Sequence, residues 1–414
     1  MMTENNQNLV PEIRFNGFTN AWEQRKLGEI LAEKISNGIM NQPGKNELNI
    51  RHINVVNLYS SSYIHLDELQ YINATENDLK RCNVEVGDIF LTRSSLKVEG
   101  IAQANILLNE GTLVFDDHIM RIKLANGFEP FFVKESLNHS PIKREFMAKS
   151  KTGTMTTIGQ DDIASSVISF PIKAEQTAIG NFFRTLDDTI TLHKRKLDVL
   201  VTLKYGFLQQ MFPAANEVMP RVRFAGFTGN WEERRLEEML TERNEQFEES
   251  EDYPLMSFVG NVGVVPKGEQ YDRSFLVKGD GKKYKKTELN DFIYSSNNLE
   301  TGSIGLNRTG KAVISPVYSI FYSSNDSESL FVGLLSKRKD FINKMIHYRQ
   351  GVMYGQWRIH ERDFLKIIVL TPTISEQNRI IDFFKNFDEQ IAAQTAKLEQ
   401  LRQLKAAYLQ RMFI

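Results

Sequence analysis

Gly305-Leu306-Asn307-Arg308-Thr309-Gly310-Lys311 has the spacing of a phosphate-cradling loop, in which backbone amides and a lysine would hold the phosphates of a nucleotide. Ala312 stands where a magnesium-binding serine or threonine belongs, and Val313-Ile314-Ser315-Pro316 reads as strand rather than as the helix such a loop must open. Asp116-Asp117-His118 joins carboxylates to an imidazole, but it lies in a strand-like run and reads as a turn or surface cluster. The seven histidines include no His-Glu-x-x-His pattern and no pair at helical spacing, so metal hydrolysis has no ligand set. There is no Gly-x-Ser-x-Gly elbow, no glycine-rich dinucleotide fingerprint between a strand and a helix, and no Asn- or Asp-Pro-Pro-aromatic tetrapeptide for a flipped base. The chain therefore reads as non-catalytic by itself.

What remains is a set of polar, basic and aromatic loops suited to DNA. In the first half, Arg93, Ser94, Ser95 and Lys97 follow the strand-like Ile89-Phe90-Leu91, and Lys149, Lys151, Thr152 and Thr154 form a second cluster. In the second half, Lys282, Lys283, Lys285 and Lys286 surround Tyr284, Arg308 and Lys311 lie in a glycine-rich turn, and Arg349, Gln350, Tyr354, Gln356, Trp357 and Arg358 form a third group. Arginine can take guanine with two hydrogen bonds and glutamine can take adenine, while lysine on phosphate sets register. A solvated surface would explain any one of these loops equally well. Their shared position is the stronger signal, because Lys151-Thr152-Gly153-Thr154 and Gln350-Gly351-Val352-Met353-Tyr354 fall at the same place in two copies of an internal repeat.

The repeat is what must position these loops. Ile13 to Ile30 and Val222 to Met239 are identical at ten of eighteen positions, and Glu175 to Phe212 matches Glu376 to Phe413 at sixteen of thirty-eight. Between them, Leu31 to Phe170 and Leu240 to Leu370 do not match. Two like frames therefore hold unlike inserts. The second repeated segment places apolar residues at Ile179, Phe183, Leu186, Ile190, Leu197, Leu200, Phe207 and Met211, a heptad stripe that recurs from Ile380 to Met412. Without interior proline, and with Pro171 and Pro372 ahead of them, both segments read as long helices. Each stripe can pack on its own domain, or the two can pack on each other; the second is expected. Chain direction would then make the pair antiparallel and set Arg14 to Ile30 at the end of the second helix.

The inserts read as mixed α/β with many short strands, each with one late helical stretch, PFFVKESLNHSPIKREFMAKS and SLFVGLLSKRKDFINKMIHYRQ. The expected class is α+β, with two mixed α/β domains separated by an antiparallel coiled coil and related by a pseudo-twofold repeat. The segments are 1–170 (first domain), 171–213 (first long helix), 214–370 (second domain) and 371–414 (second long helix). In its 414 residues, 41% apolar and 25% charged, the chain reads as soluble and globular, and a single cysteine, Cys82, excludes an internal disulfide. No leader or membrane span is read, so a cytoplasmic protein is expected. Lys+Arg 51 against Asp+Glu 52 means that any grip on nucleic acid comes from local patches.

The segments Phe15 to Leu27 and Phe224 to Leu236, both Phe-x-Gly-Phe-Thr-x-x-Trp-Glu-x-x-x-Leu, the Glu-Gln-x-x-Ile-x-x-Phe-Phe starts of both helices, and Gly87-Asp88-Ile89-Phe90-Leu91-Thr92-Arg93 together resemble the specificity subunit of type I restriction–modification enzymes. The resemblance implies two target recognition domains that read the halves of a split double-stranded DNA site, with the helix pair as a ruler. It also implies two docked adenine methyltransferase subunits and two translocase/endonuclease subunits. S-adenosylmethionine, ATP and magnesium would sit on those partners, with no cofactor or metal on this chain and no membrane contact. The second insert has Asn290-Asp291-Phe292-Ile293-Tyr294-Ser295 where the first has Gly87 to Thr92, so no counterpart of Arg93 is carried over. A coiled-coil scaffold that joins two partner-binding domains without touching DNA stays open on the residues alone.

Overall fold

The computed structural model describes residues 9–40, 48–60, 63–260, 262–266, 283–297, 299, 303–353 and 356–414. They form two compact units, Met1–Leu197 with Gln394–Ile414, and Asp198–Ala393. The two long helices run unbroken over Lys173–Gln210 and Ile374–Arg411, and each contributes one part to each unit. At 1.5 Å per residue, such a helix is roughly 57 Å long. Among the described residues no helix is long and apolar enough to cross a membrane.

In the first unit, Ile13 to Leu27 makes the frame. Arg14 grips Glu175 with Nε and Nη2 at 2.6 and 2.7 Å, fixing the segment to the first turn of the long helix. Gly17 takes a φ of +93°, which a β-carbon would strain, and lets the chain turn so that Trp22 donates its backbone N–H to Leu9. The strand Glu23–Lys26 then pairs with Val167–Phe170. Gln176 donates its amide to the Pro171 carbonyl at 2.9 Å and so ties down the helix start.

Each of these devices recurs in the second unit. Arg223 grips Glu376 at 2.6 and 2.7 Å, Gly226 has a φ of +92°, Trp231 bonds Val218, Glu232–Arg235 pairs with Ile368–Thr371, and Gln377 bonds Pro372. The repetition in sequence is thus a repetition of hydrogen bonds.

The inserts, which share no legible sequence match, share a sheet. In the first unit, Ser36–Asn37, Ile119–Ile122, Ile89–Thr92 and Ala104–Ile106 line up in that order, all antiparallel. In the second, Thr241–Glu242, Ser319–Tyr322, Phe292–Tyr294 and Ile304–Leu306 do the same. Both faces of the sheet are covered: Ile89 and Leu91 join the core around Trp22, while Phe90 joins a second core with Phe115. Period-two alternation between two apolar cores explains why these strands read as continuous hydrophobic runs.

The helical stretches each break in two. Pro130–Asn138 and Ser140–Lys149 meet at His139, and Asp326–Leu335 and Lys339–His347 meet near Arg338.

The heptad stripes pack on both the domains and each other. In the first unit, Ile179 and Phe183 join the Trp22 core together with Met412 and Phe413. Phe182 lies 5.0 Å from the Tyr408 ring, Lys405 reaches Asp187, and Gln394 bonds the His193 carbonyl at 3.0 Å, so the two helical segments run antiparallel there. In the second unit, Phe207 contacts Phe383 and Phe387, and Lys204 pairs with Asp388, again antiparallel. Each fully buried Phe contributes about 1.5–3 kcal/mol. The Ile13 N–H donates to the Arg411 carbonyl at 2.9 Å, which sets the repeated N-terminal segment at the end of the second helix as its direction requires.

Candidate nucleic-acid interface

Two sequence clusters of the first half come together in one small sheet. Lys151–Thr152 pairs with Thr156–Thr157, and that strand pairs with Ser94–Ser95. Arg93 is clamped by its backbone: its N–H donates to His118 at 2.8 Å, and its carbonyl accepts from Ile158 at 3.0 Å. The turn Gly153–Thr154–Met155 closes with a bond from Gly153 N–H to the Met155 carbonyl. Arg93, Lys97, Lys151, Thr152 and Thr154 are all exposed on this platform, Lys151 and Thr152 on a paired strand, Thr154 in the hairpin turn and Lys97 in the loop after Ser95. Donors fixed in this way can meet phosphates or base edges with little loss of side-chain order.

The remaining predicted donors of this half have inward duties. Ser94 is 5% exposed and its hydroxyl lies 2.6 Å from His118 Nδ1, while Ser95 Oγ accepts the Lys97 N–H. Lys149 is an internal brace: its ammonium donates to the Asp162 carbonyl and to the Ser165 and Ser166 hydroxyls at 3.1–3.2 Å, and lies 2.6 Å from Glu145. The helix end near Ser150 places it against the following short helix rather than on the hairpin. Asp116-Asp117-His118 forms a turn between two strands, with Asp116 Oδ1 accepting the His118 N–H at 2.8 Å.

In the second unit the basic run around Tyr284 is a strand, Tyr284–Thr287, and its lysines are largely paired. Lys285 is 8% exposed and donates to the Tyr318 carbonyl at 3.0 Å. Lys286 lies 3.2 and 3.3 Å from Glu245 and Glu288, and stands 5.1 Å over the Tyr253 ring. Lys283 is exposed, and Lys282 lies outside the described residues. The look-alike of a phosphate loop is a turn between the strands Ile304–Leu306 and Ala312–Ile314, where Asn307 Oδ1 accepts the Thr309 and Gly310 N–H groups. Arg308 and Lys311 project from it exposed, Lys311 lying 5.6 Å over Tyr253.

The hairpin Gln350–Met353 with Gln356–Arg358 occupies the place that Lys151–Thr157 has in the first copy. The Arg349 guanidinium lies 5.8 Å over the Trp357 ring, an arrangement that presents a flat cation–aromatic pair; Trp357 is 46% exposed. Arg358 projects outward, and Gln350 Nε2 is held by Asp363 at 3.0 Å. Tyr354 and the side chain of Gln356 lie outside the described residues.

Equivalent backbone bonds make the missing arginine concrete. The Asp88 carbonyl accepts the Leu107 N–H in the first unit and the Asp291 carbonyl accepts the Asn307 N–H in the second, so Ser296, five residues beyond Asp291, stands where Arg93 stands beyond Asp88. Tyr59, Leu96, His118 and Met155 line a cleft beside the first hairpin. His118 was read as part of a turn or surface cluster and Leu96 lay inside a motif read for its polar neighbours; no local signal marks Tyr59 and Met155.

A model of the type I restriction modification DNA specificity domain matches residues 20–201 and 228–403. The chain is 26% identical over 197 residues to the type I restriction enzyme MjaX specificity subunit of Methanocaldococcus jannaschii, covering 46% of this chain and 45% of that protein. It is 25% identical over 157 residues to the EcoKI specificity subunit of Escherichia coli, covering 36% and 33%. The chain thus matches less than half the length of these curated relatives. The crystal structure of the S subunit of a type I restriction–modification system from M. genitalium superposes with a TM-score of 0.62 at 13% identity, over 98% of this chain and 99% of that one. A chain from a structure of type I R-M complex assembly gives 0.52 at 13% identity, over 96% and 98%. At such identities the likeness shows a shared fold. Because the domain model falls on both copies of the repeat and spans most of the sequence, the chain belongs to the type I restriction modification DNA specificity domain family.

Proposed function

We propose that this chain is the sequence-specific DNA-recognition subunit of a type I restriction–modification complex, non-catalytic in itself, with one target recognition domain for each half of a split site. One observation carries the reading. At the same place in two frames built from the same hydrogen bonds, each unit presents a hairpin whose exposed side chains are unlike those of the other, Lys151 with Thr152 against Trp357 with Arg358. Equal frames with unequal loops suit a reader of two different half-sites better than a symmetric scaffold.

In this reading the two long helices form the antiparallel coiled coil that separates the domains, with segments 1–170, 171–213, 214–370 and 371–414. A helix of roughly 57 Å can span one to two duplex turns at about 34–36 Å each. Two methyltransferase subunits would dock on the frame and two translocase/endonuclease subunits would complete the assembly. S-adenosylmethionine, ATP and magnesium belong to those partners. A near-neutral chain, at −1, suits a complex in which partners supply part of the charge that meets DNA.

Sequencing methylated DNA from cells that carry the chain with its partners tests this. The expected result is adenine methylation at one split motif that disappears when this chain is deleted. Methylation unchanged by the deletion would overturn the reading.

A further inference from the structure

The first reading platform carries an apolar group that phosphate contact does not need. Leu96, between Ser95 and Lys97, is 83% exposed at the tip of its loop. Beside it Tyr59, 48% exposed, is locked in place by donating its hydroxyl to the Gly100 carbonyl at 2.6 Å. With Val55 and Met155 they wall a cleft of about 620 Å³ whose rim includes Lys97, His118 and the exposed carboxylate of Glu99. Arg93 and Lys151 stand exposed on the adjoining sheet. An exposed apolar patch with Lys97 on its rim and Arg93 and Lys151 beside it suits contact with a ligand rather than folding.

We propose that this cleft takes the C5 methyl group of a thymine in the major groove, with Leu96 and Met155 in contact with the methyl and Lys97 and Lys151 on neighbouring phosphates. Of the groups that base edges present, the thymine methyl is the apolar one. It is carried on a polyanion, which matches an apolar floor flanked by the exposed Arg93, Lys97 and Lys151. A protein partner would fit less well, since lysine is depleted from the core of protein interfaces. Among the described residues of the second unit the counterpart of Leu96 does not face outward: Leu299, three residues beyond Ser296 as Leu96 is beyond Arg93, is 2% exposed and belongs to the core. The methyl-dependent position is therefore expected from the first recognition domain.

The inference rests on the DNA-recognition reading, and the test separates the two. The methyltransferase-bound complex is titrated with its target duplex, in which each thymine in turn is replaced by deoxyuridine, which removes the methyl and keeps the hydrogen-bonding edge. One position in one half-site should lose about fourfold in affinity, the value of one methyl group. Leu96→Ala, at an exposed site, should show that loss on the unmodified target and no further loss with deoxyuridine there, while Lys97→Gln should keep the deoxyuridine effect. Sequence-specific binding with no sensitive thymine overturns the cup alone, as does a deoxyuridine penalty that survives in Leu96→Ala. Impaired methyltransferase docking in Leu96→Ala, with DNA affinity intact once assembled, assigns the cleft to a protein and overturns it too. Binding without any sequence preference overturns the recognition reading itself.

Discussion

The same lysine–aspartate pair closes the helix packing in both units, yet its surroundings differ. In the first, Lys405 reaches Asp187 at 2.6 Å and Glu135 at 3.1 Å, while Lys134 reaches Glu135 at 2.7 Å and Asp187 at 3.4 Å. Both carboxylates are 1% exposed. In the second, Lys204 pairs with Asp388, which is 46% exposed, and Lys337 stands 3.7 Å away. Aligning Phe132 with Phe331, the partners of Trp22 and Trp231, places Gly333 and Leu334 where Lys134 and Glu135 stand. One socket is a closed four-charge network and the other a more open cluster of Lys204, Lys337 and Asp388. Burial pushes the Asp187 carboxyl up against the pull of Lys134 and Lys405; for Glu135 burial acts the same way, but the two ammoniums outweigh it and hold it low. A repeated frame thus tolerates very different electrostatics as long as each buried charge keeps a partner.

Breaking the pair in each socket should show the largest contrast. Lys405→Met leaves two buried carboxylates with one ammonium and should cost about 3–5 kcal/mol. Lys204→Met should cost about 1 kcal/mol or less, since its partner is solvated. Urea denaturation of the two variants measures the difference, and equal losses would erase the distinction between closed and open sockets.

A second contrast lies where the paired short helices meet. His139 packs on Phe413 at 5.9 Å in the first unit, and Arg338 lies 5.2 Å over Phe212 in the second, also donating to the Leu208 and Pro213 carbonyls. Burial, with Arg144 adding to it, lowers the His139 pKa from 6.5 to about 4. The unfolded chain therefore takes the proton first, so this contribution to stability is complete above pH 6.5 and is lost as pH falls toward 4. By pH 5 the loss should be about 2 kcal/mol. Hydrogen exchange, corrected for intrinsic rates, should show residues 130–149 losing protection between pH 7 and pH 5 while residues 326–347 keep theirs. Arg338→His should bring the same sensitivity into the second unit.

The smallest contrast sits where the helix Ser140–Lys149 gives way to the strand Lys151–Thr152. Lys151→Ala should weaken DNA binding about equally across sequences and lower the salt slope by about one. Lys149→Ala, two residues away, should leave the slope unchanged and destabilise the fold by about 1–2 kcal/mol, since its ammonium serves Asp162, Ser165 and Ser166.

The frame was legible in the sequence because it is written twice: the two Gly-Phe-Thr segments and the two helix starts announce their own equivalence. That Arg14 and Glu175, or Arg223 and Glu376, would grip each other was not, since partners 161 and 153 residues apart leave no local pattern. The shared sheet of the inserts was equally hidden, because strands buried on both faces specify only apolar residues and many sequences satisfy them. Basic loops were over-read for one reason. A lysine's type shows its charge but not its partner, and Lys149, Lys285 and Lys286 find theirs inside the protein. Leu96 was under-read for the converse reason, since exposure of an apolar residue appears only once the loop is folded.

The claim that like frames hold unlike readers is tested most directly by binding the assembled complex to libraries of split targets, with one hairpin altered at a time. Thr152→Ala with Thr154→Ala, exposed on the first hairpin, should relax base choice in one half-site, and Trp357→Ala with Arg358→Ala in the other half only. Both pairs relaxing the same half, or neither changing base choice at all, would contradict it.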